Sequence, residues 1–242
     1  MLVFATLWRL FVKPDIQVRA RRSFLLSGLG AIVAGLWVAL TLGGHASAVL
    51  LAVAVPTIHA ALALPQAHAH AHDRLGPAHW VTLARSIPVA ALAACIPASE
   101  VPPVLISMLA GITMILDGVD GLVARRTGLA SPFGAAVDAE LDAVLMASLT
   151  GVLYANGHTG PWVLLAGAAR FVYIGAGRVW PWLNAPLAPS LHRKLCFGVA
   201  AWSLVAAPML DGQGAQALGV VGTSTILASF GLDILWLFKN RT

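Results

Sequence analysis

Apolar residues run along this chain in eight stretches, at about 23–42, 48–65, 80–98, 103–120, 134–156, 161–178, 195–211 and 216–237. Each is close to the roughly 20 residues that carry an α-helix across the hydrocarbon core of a bilayer. Gly, Pro, His, Asn or Asp marks most of the gaps. The pattern predicts an all-α polytopic membrane protein. Residues 1–22 differ, mixing Leu2, Phe4, Leu7, Trp8, Leu10 and Phe11 with Arg9, Lys13, Arg19, Arg21 and Arg22. That mixture suits a segment lying along an anionic cytoplasmic surface. The expected organisation is a cytoplasmic or interfacial segment over 1–22, two transmembrane helices over 23–65, a His-containing cytoplasmic loop over 66–79 and a six-helix transmembrane core over 80–238.

Composition agrees: 59% of residues are hydrophobic and 10% charged, with a mean hydropathy of +0.83, against roughly 25% charged residues in soluble domains. The formal charge of +5 raises the possibility of nucleic acid, but membrane proteins concentrate Lys and Arg in cytoplasmic loops for reasons of insertion. With the N-terminus inside, the outer loops fall near 43–47, 99–102, 157–160 and 212–215, and none contains Lys or Arg. The reading excludes a nucleic-acid partner and places both termini in the cytoplasm, in a bacterial-type inner or cell membrane. Ala46-Ser47-Ala48 follows the first span in the manner of a signal-peptide cleavage site, but the apolar run is longer than a 7–15 residue signal core. Cys95 and Cys196 read as small core residues near opposite membrane faces. His68, His70 and His72, alternating with Ala, read as a solvated loop, because no Cys or acidic ligands accompany them.

The chemistry is concentrated in one stretch. Residues 117–142, DGVDGLVARRTGLASPFGAAVDAELD, hold five of the ten acidic residues at the ends of two consecutive spans. A carboxylate at mid-bilayer costs about 2.5–3.5 kcal/mol on insertion scales, so several together call for partners or a bound cation. Asp117 and Asp120 are three apart, and Gly134, Asp138 and Asp142 are successive steps of four, so each set shares a helix face. Glu140 lies off that stripe, with no role beyond an interfacial charge. Carboxylates meeting in one cavity form an all-oxygen site suited to hard cations such as Mg²⁺, Mn²⁺ or Ca²⁺ rather than Zn²⁺. Two such ions can clamp a pyrophosphate. Gly121, Ala124 and Gly134 clear side chains from the surface a nucleotide would approach, and Arg125 supplies a cation for a phosphate.

Taken in order, Asp117, Asp120, Gly121, Ala124, Arg125, Gly134, Asp138 and Asp142 resemble the signature of the CDP-alcohol phosphotransferases (CDP-alcohol phosphatidyltransferases), D-x-x-D-G-x-x-A-R, eight residues, then G-x-x-x-D-x-x-x-D. Every fixed position matches with its spacing, a far more specific signal than a lone glycine motif. Pro77 to Arg85, PAHWVTLAR, is similar to the start of that family's first core helix, and residues 76–237 look like its six-helix core, preceded here by two extra transmembrane helices. The resemblance implies Mg²⁺ or Mn²⁺, two ions, on Asp117, Asp120, Asp138 and Asp142. It implies a CDP site formed by Asp117, Gly121, Ala124, Arg125 and Gly134, with Asp142 as the general base. The implied reaction moves a phosphatidyl group from a CDP-linked lipid such as CDP-diacylglycerol to an alcohol and releases CMP, in a homodimer whose active site faces the cytoplasm.

The acceptor is written outside the motif. Arg170, Arg178, His192, Arg193 and Lys194 are the candidate contacts, with Arg170, Arg193 and Lys194 foremost. A cationic pocket suits a phosphorylated polyol such as glycerol 3-phosphate or inositol phosphate, whereas serine or choline would need a carboxylate cage or aromatic box. Arg170 lies roughly 12 Å inside its span at about 1.5 Å per residue, where a cation must face a polar cavity. Cations at helix ends also serve as headgroup anchors. A divalent-cation transporter is the rival from another class, since it too would use intramembrane aspartates. It gives no reason for the small residues and Arg125 at their spacings, and it needs acids near mid-membrane.

Overall fold

The computed structural model of the chain describes residues 14–41, 46–63, 77–98, 100–128, 131–187 and 190–240. Among them are eight α-helices: α1 (Pro14–Thr41), α2 (Ala46–Ala63), α3 (Pro77–Ala94), α4 (Pro103–Thr127), α5 (Pro132–Ala155), α6 (Leu164–Val179), α7 (Leu191–Ala206) and α8 (Gly212–Lys239). Short 3₁₀ turns at Pro161–Val163, Pro181–Asn184 and Ala207–Met209 flank the later helices. No strand occurs among the described residues. The fold is therefore the expected polytopic helical one, a six-helix core preceded by two further helices. The His68, His70 and His72 loop lies outside the described residues.

Several ends differ from the apolar pattern. α1 begins at Pro14, well before the expected span start near 23, and α4 continues to Thr127, a turn or more beyond the expected end near 120. Helix propensity does not stop at the membrane surface, so polar turns extend an apolar span. α2, α4, the Pro161–Val179 segment and α8 are long and apolar enough to cross a membrane. α3 and α5 also carry polar side chains of the site, and α5 buries Phe133, Val137, Leu141, Leu145, Leu149 and Leu153 against other helices. A helix sheathed by protein has less need of an apolar surface. Outward-facing residues of α4 such as Met108, Ile112, Ile115 and Val119 are exposed, which is how a lipid-facing stripe looks in the absence of lipid.

α3 lies centrally, packing on α1, α2, α4 and α5, while α8 packs on α6 and α7. Small residues let the backbones approach, as membrane helices require. A Cβ on Gly35 of α1 would stand 1.9 Å from that of Ala52 in α2, and one on Gly167 of α6 would stand 2.9 Å from the Ala147 backbone in α5.

The turn between α4 and α5 sets the site. α4 stops at Gly128, whose φ of 67° is the left-handed conformation that ends helices and that glycine adopts without strain. Ser131 then caps α5, its Oγ accepting from the Gly134 backbone N–H at 3.1 Å, with Pro132 in the first turn, an arrangement that satisfies an otherwise orphaned donor. This short reversal brings the C-terminal end of α4 beside the N-terminal end of α5, the two segments that carry the aspartates.

Candidate active site

Asp117 and Asp120 project from α4, and Asp138 and Asp142 from α5, toward one point occupied by the guanidinium of Arg85 from α3. Arg85 Nη1 lies 2.9 Å from Asp117 Oδ1 and 3.1 Å from Asp120 Oδ2, and it also hydrogen-bonds Asp138 Oδ1. Its Nη2 donates to Asp142 Oδ1 at 2.7 Å. The Thr82 hydroxyl, one turn earlier on α3, donates to Asp120 Oδ2 at 2.8 Å. The Arg85 side chain is 0% exposed, whereas those of Asp117 and Asp138 are 29% and 35% exposed. The cluster is thus closed on the α3 side and open along one edge.

This donor set fits a hard divalent cation. Asp117, Asp120 and Asp138 each offer a carboxylate oxygen within 4.8 Å of the others, and the single guanidinium balances only one of four formal negative charges. Asp142 stands outside that triad but shares Arg85 with it.

Asp142 also lines a cavity of ≈ 420 Å³ between α5, α6, α7 and α8, with Arg170, Tyr173, Arg193, Ser229 and Asp233 as its other polar groups and Phe197 and Phe230 among its apolar ones. Two of the three foremost acceptor candidates, Arg170 and Arg193, therefore reach this cavity. Lys194, the third, is exposed and is not among the residues lining it. Successive residues of a helix diverge by about 100°, so Arg193 and Lys194 cannot share a direction. Arg178 and His192 likewise lie outside the lining. Both cavity arginines hold carboxylates: Arg170 Nη2 donates to Glu140 Oε1 at 2.7 Å and Arg193 Nη1 to Asp233 Oδ1 at 3.3 Å.

Glu140 corrects the expectation of an interfacial charge. It does lie off the aspartate stripe, but its side chain is 4% exposed and turned to α6, where Arg170 meets it. An unpaired carboxylate would not be tolerated there. Around the expected nucleotide surface, Arg125 folds back over Gly121, where a Cβ would meet its Nη1 at 3.3 Å, and its side chain is exposed, while Ala124 and Gly134 are half-buried. Cys95 and Cys196 are both free.

The geometry adds Thr82, Arg85, Glu140, Tyr173 and Asp233 to the residues singled out by spacing. An acid inside an apolar final helix, as Asp233 is, carried a signal of its own. Arg85 stood out only as the end of the PAHWVTLAR stretch, because its partners lie on other helices.

Over 98 residues the chain is 35% identical to the archaetidylinositol phosphate synthase of Aeropyrum pernix, a match covering 40% of this chain and 47% of that protein. The chain thus spans about half the length of the curated relative it matches. No solved structure matches it. Residues 75–230, which include the whole aspartate cluster and every cavity residue except Asp233, match the CDP-alcohol phosphatidyltransferase family, and the chain belongs to that family.

Proposed function

We propose that the protein transfers a lipid-phosphate group from a CDP-linked lipid such as CDP-diacylglycerol to a small alcohol, releasing CMP, in phospholipid synthesis. One observation carries the reading: Asp142 belongs at once to the carboxylate cluster and to the neighbouring cavity. A pyrophosphate held at the cluster and a hydroxyl held in the cavity would meet at that residue.

Asp117, Asp120, Asp138 and Asp142 would hold two Mg²⁺ or Mn²⁺ ions, which supply charge neutralisation for the pyrophosphate and its leaving oxygen. Gly121, Ala124 and Gly134 leave room for the nucleotide, and Arg125 pairs with phosphate. Asp142 accepts the proton of the acceptor hydroxyl. The acceptor oxygen forms a bond to the phosphorus that bears the lipid, the bond from that phosphorus to the bridging oxygen breaks, and CMP departs with the electron pair. Near-alignment of nucleophile and phosphorus accounts for much of the rate in such transfers.

Arg170 and Arg193 favour a phosphorylated polyol as acceptor, since guanidinium forks match phosphate oxygens. The relative named for archaetidylinositol phosphate is consistent with that class. The lack of Lys and Arg in the expected outer loops supports a site facing the cytoplasm, and the family resemblance supports a homodimer. Family membership favours transfer over the transport of divalent cations.

The test is CMP release from CDP-diacylglycerol by purified protein with Mg²⁺ or Mn²⁺, across glycerol 3-phosphate, inositol phosphate, inositol, serine and choline. Asp142→Asn should lower acceptor-dependent CMP release by about 10²- to 10⁴-fold, the usual worth of a general base. CMP release that is silent for every acceptor, together with metal flux in liposomes, would overturn the proposal.

A further inference from the structure

α4 and α5 supply the four aspartates, yet they touch each other sparingly, and α5 packs more extensively on α3 and on α2. Beyond the turn that joins them, the convergence of the two acidic faces is therefore held by helices that carry none of these acids. α3 contributes through Arg85. α2 lies before the family-matched region and has a contact of its own.

α2 is apolar throughout except for Ser47, Thr57 and His59. An imidazole in such a helix is costly unless bonded. His59 is 1% exposed, and its Nε2 lies 2.9 Å from the carbonyl oxygen of Val137, the residue before Asp138. A helix carbonyl has two lone pairs and can accept this bond beside its own intrahelical one. Around it, Ala63 of α2, Leu83 of α3, and Phe133 and Val137 of α5 form a small separate core, with Ala60 packed on it. α1 joins the same corner: Ser23 Oγ and His79 Nε2 are 2.9 Å apart, and the His79 ring lies 5.9 Å from that of Phe133. With little hydrophobic driving force between helices in lipid, such polar contacts and close packing fix how helices sit.

We propose that the two appended helices brace the metal-binding helix α5, with His59 as the positioning residue that sets Asp138 against Asp117 and Asp120 through the Val137 carbonyl. The inference rests on the reading of the aspartates as metal ligands. His59 bonds a backbone carbonyl and belongs to neither the carboxylate cluster nor the cavity lining.

The test is Mn²⁺ binding to the full chain in detergent or liposomes, followed by electron paramagnetic resonance, for the wild type, His59→Leu and His59→Gln. Loss of a group bonded directly to a metal ligand weakens metal binding by about 10- to 100-fold. His59 acts through one residue of backbone, so His59→Leu should raise the Mn²⁺ dissociation constant by about 3- to 10-fold. His59→Gln, which keeps a side-chain N–H of nearly the same reach, should restore most of it. CMP release at saturating Mn²⁺ should return toward the wild-type kcat in both variants. If His59→Leu does not fold, His59→Asn replaces it, being polar but too short to reach the carbonyl. Unchanged Mn²⁺ affinity in His59→Leu or His59→Asn would overturn the brace and leave α2 a packing helix. Failure of the wild type itself to bind Mn²⁺ would overturn the metal reading beneath it.

Discussion

Replacing Arg85 with methionine keeps the length of the side chain and removes its charge, which isolates what the guanidinium does among the four aspartates. Its Nη1 and Nη2 together contact all four carboxylates, and its side chain is 0% exposed. Without metal, Arg85→Met leaves four formal negative charges in place of three, with no internal cation facing them. Removing one partner of a buried ion pair costs about 3–5 kcal/mol. At about 2–4 °C per kcal/mol for a chain of this size, the midpoint of unfolding should fall by on the order of 10 °C. Arg85→Lys should fall between, because an ammonium replaces the charge but cannot fork across two helices.

Divalent metal should reverse the loss. A cation held at 100 times its dissociation constant stabilises the folded state by about 2.7 kcal/mol, and in Arg85→Met it meets no guanidinium already paired with its ligands. The Mn²⁺-induced rise in midpoint should therefore be larger in Arg85→Met than in the wild type. Thermal unfolding in detergent, with chelator and then with Mn²⁺, can be followed by the reaction of buried Cys95 with a thiol-reactive dye. If Arg85→Met unfolds at the wild-type temperature in chelator and gains no more from Mn²⁺, the guanidinium is not what balances these carboxylates.

Two further outcomes follow from the packing. Glu140→Ala strands the partly buried Arg170, whose side chain is 35% exposed. It should cost about 2–3 kcal/mol in thermal unfolding, less than the about 3–5 kcal/mol of a fully buried pair, and it should raise the KM for a phosphorylated acceptor more than it lowers kcat. Gly167→Ala drives a Cβ to 2.2 Å from Thr150 Oγ1 and 2.9 Å from the Ala147 backbone, so unfolding should come earlier by about 1–3 kcal/mol. Gly175→Ala, on the same helix with nothing within 4 Å of the added Cβ, should stay within about 0.5 kcal/mol of the wild type.

What could be read from the sequence was whatever a single helix determines. Asp117 and Asp120, and Gly134, Asp138 and Asp142, fall on common faces because three and four residues nearly complete a turn. The left-handed Gly128 and the Ser131 cap then bring the two faces together over a short distance in the chain. Arg85, Glu140 and Asp233 depend instead on which helix lies opposite. Arg85 answers acids on two other helices, and the spacing that placed Glu140 off the stripe contained nothing about Arg170 on α6. The same limit separates Arg193 from Lys194: neighbours in sequence and equal in charge, they are distinguished only by where α8 puts Asp233.

The charges of the assembled site bear on how many ions it would take. Asp117, Asp120, Asp138, Asp142, Glu140 and Asp233 face Arg85, Arg170 and Arg193, and six carboxylates against three guanidiniums leave three formal negative charges. A CDP-linked lipid brings a further two on its pyrophosphate. One divalent cation would leave such a region strongly anionic as the phosphorylated acceptor arrived, which a poorly solvated membrane interior disfavours. Two reduce the excess to a single charge before the acceptor binds, and Arg125, exposed beside Gly121, is placed to offset that one. This count of charges is in keeping with the two ions proposed above, and with the proposal that Arg125 pairs with the donor phosphates.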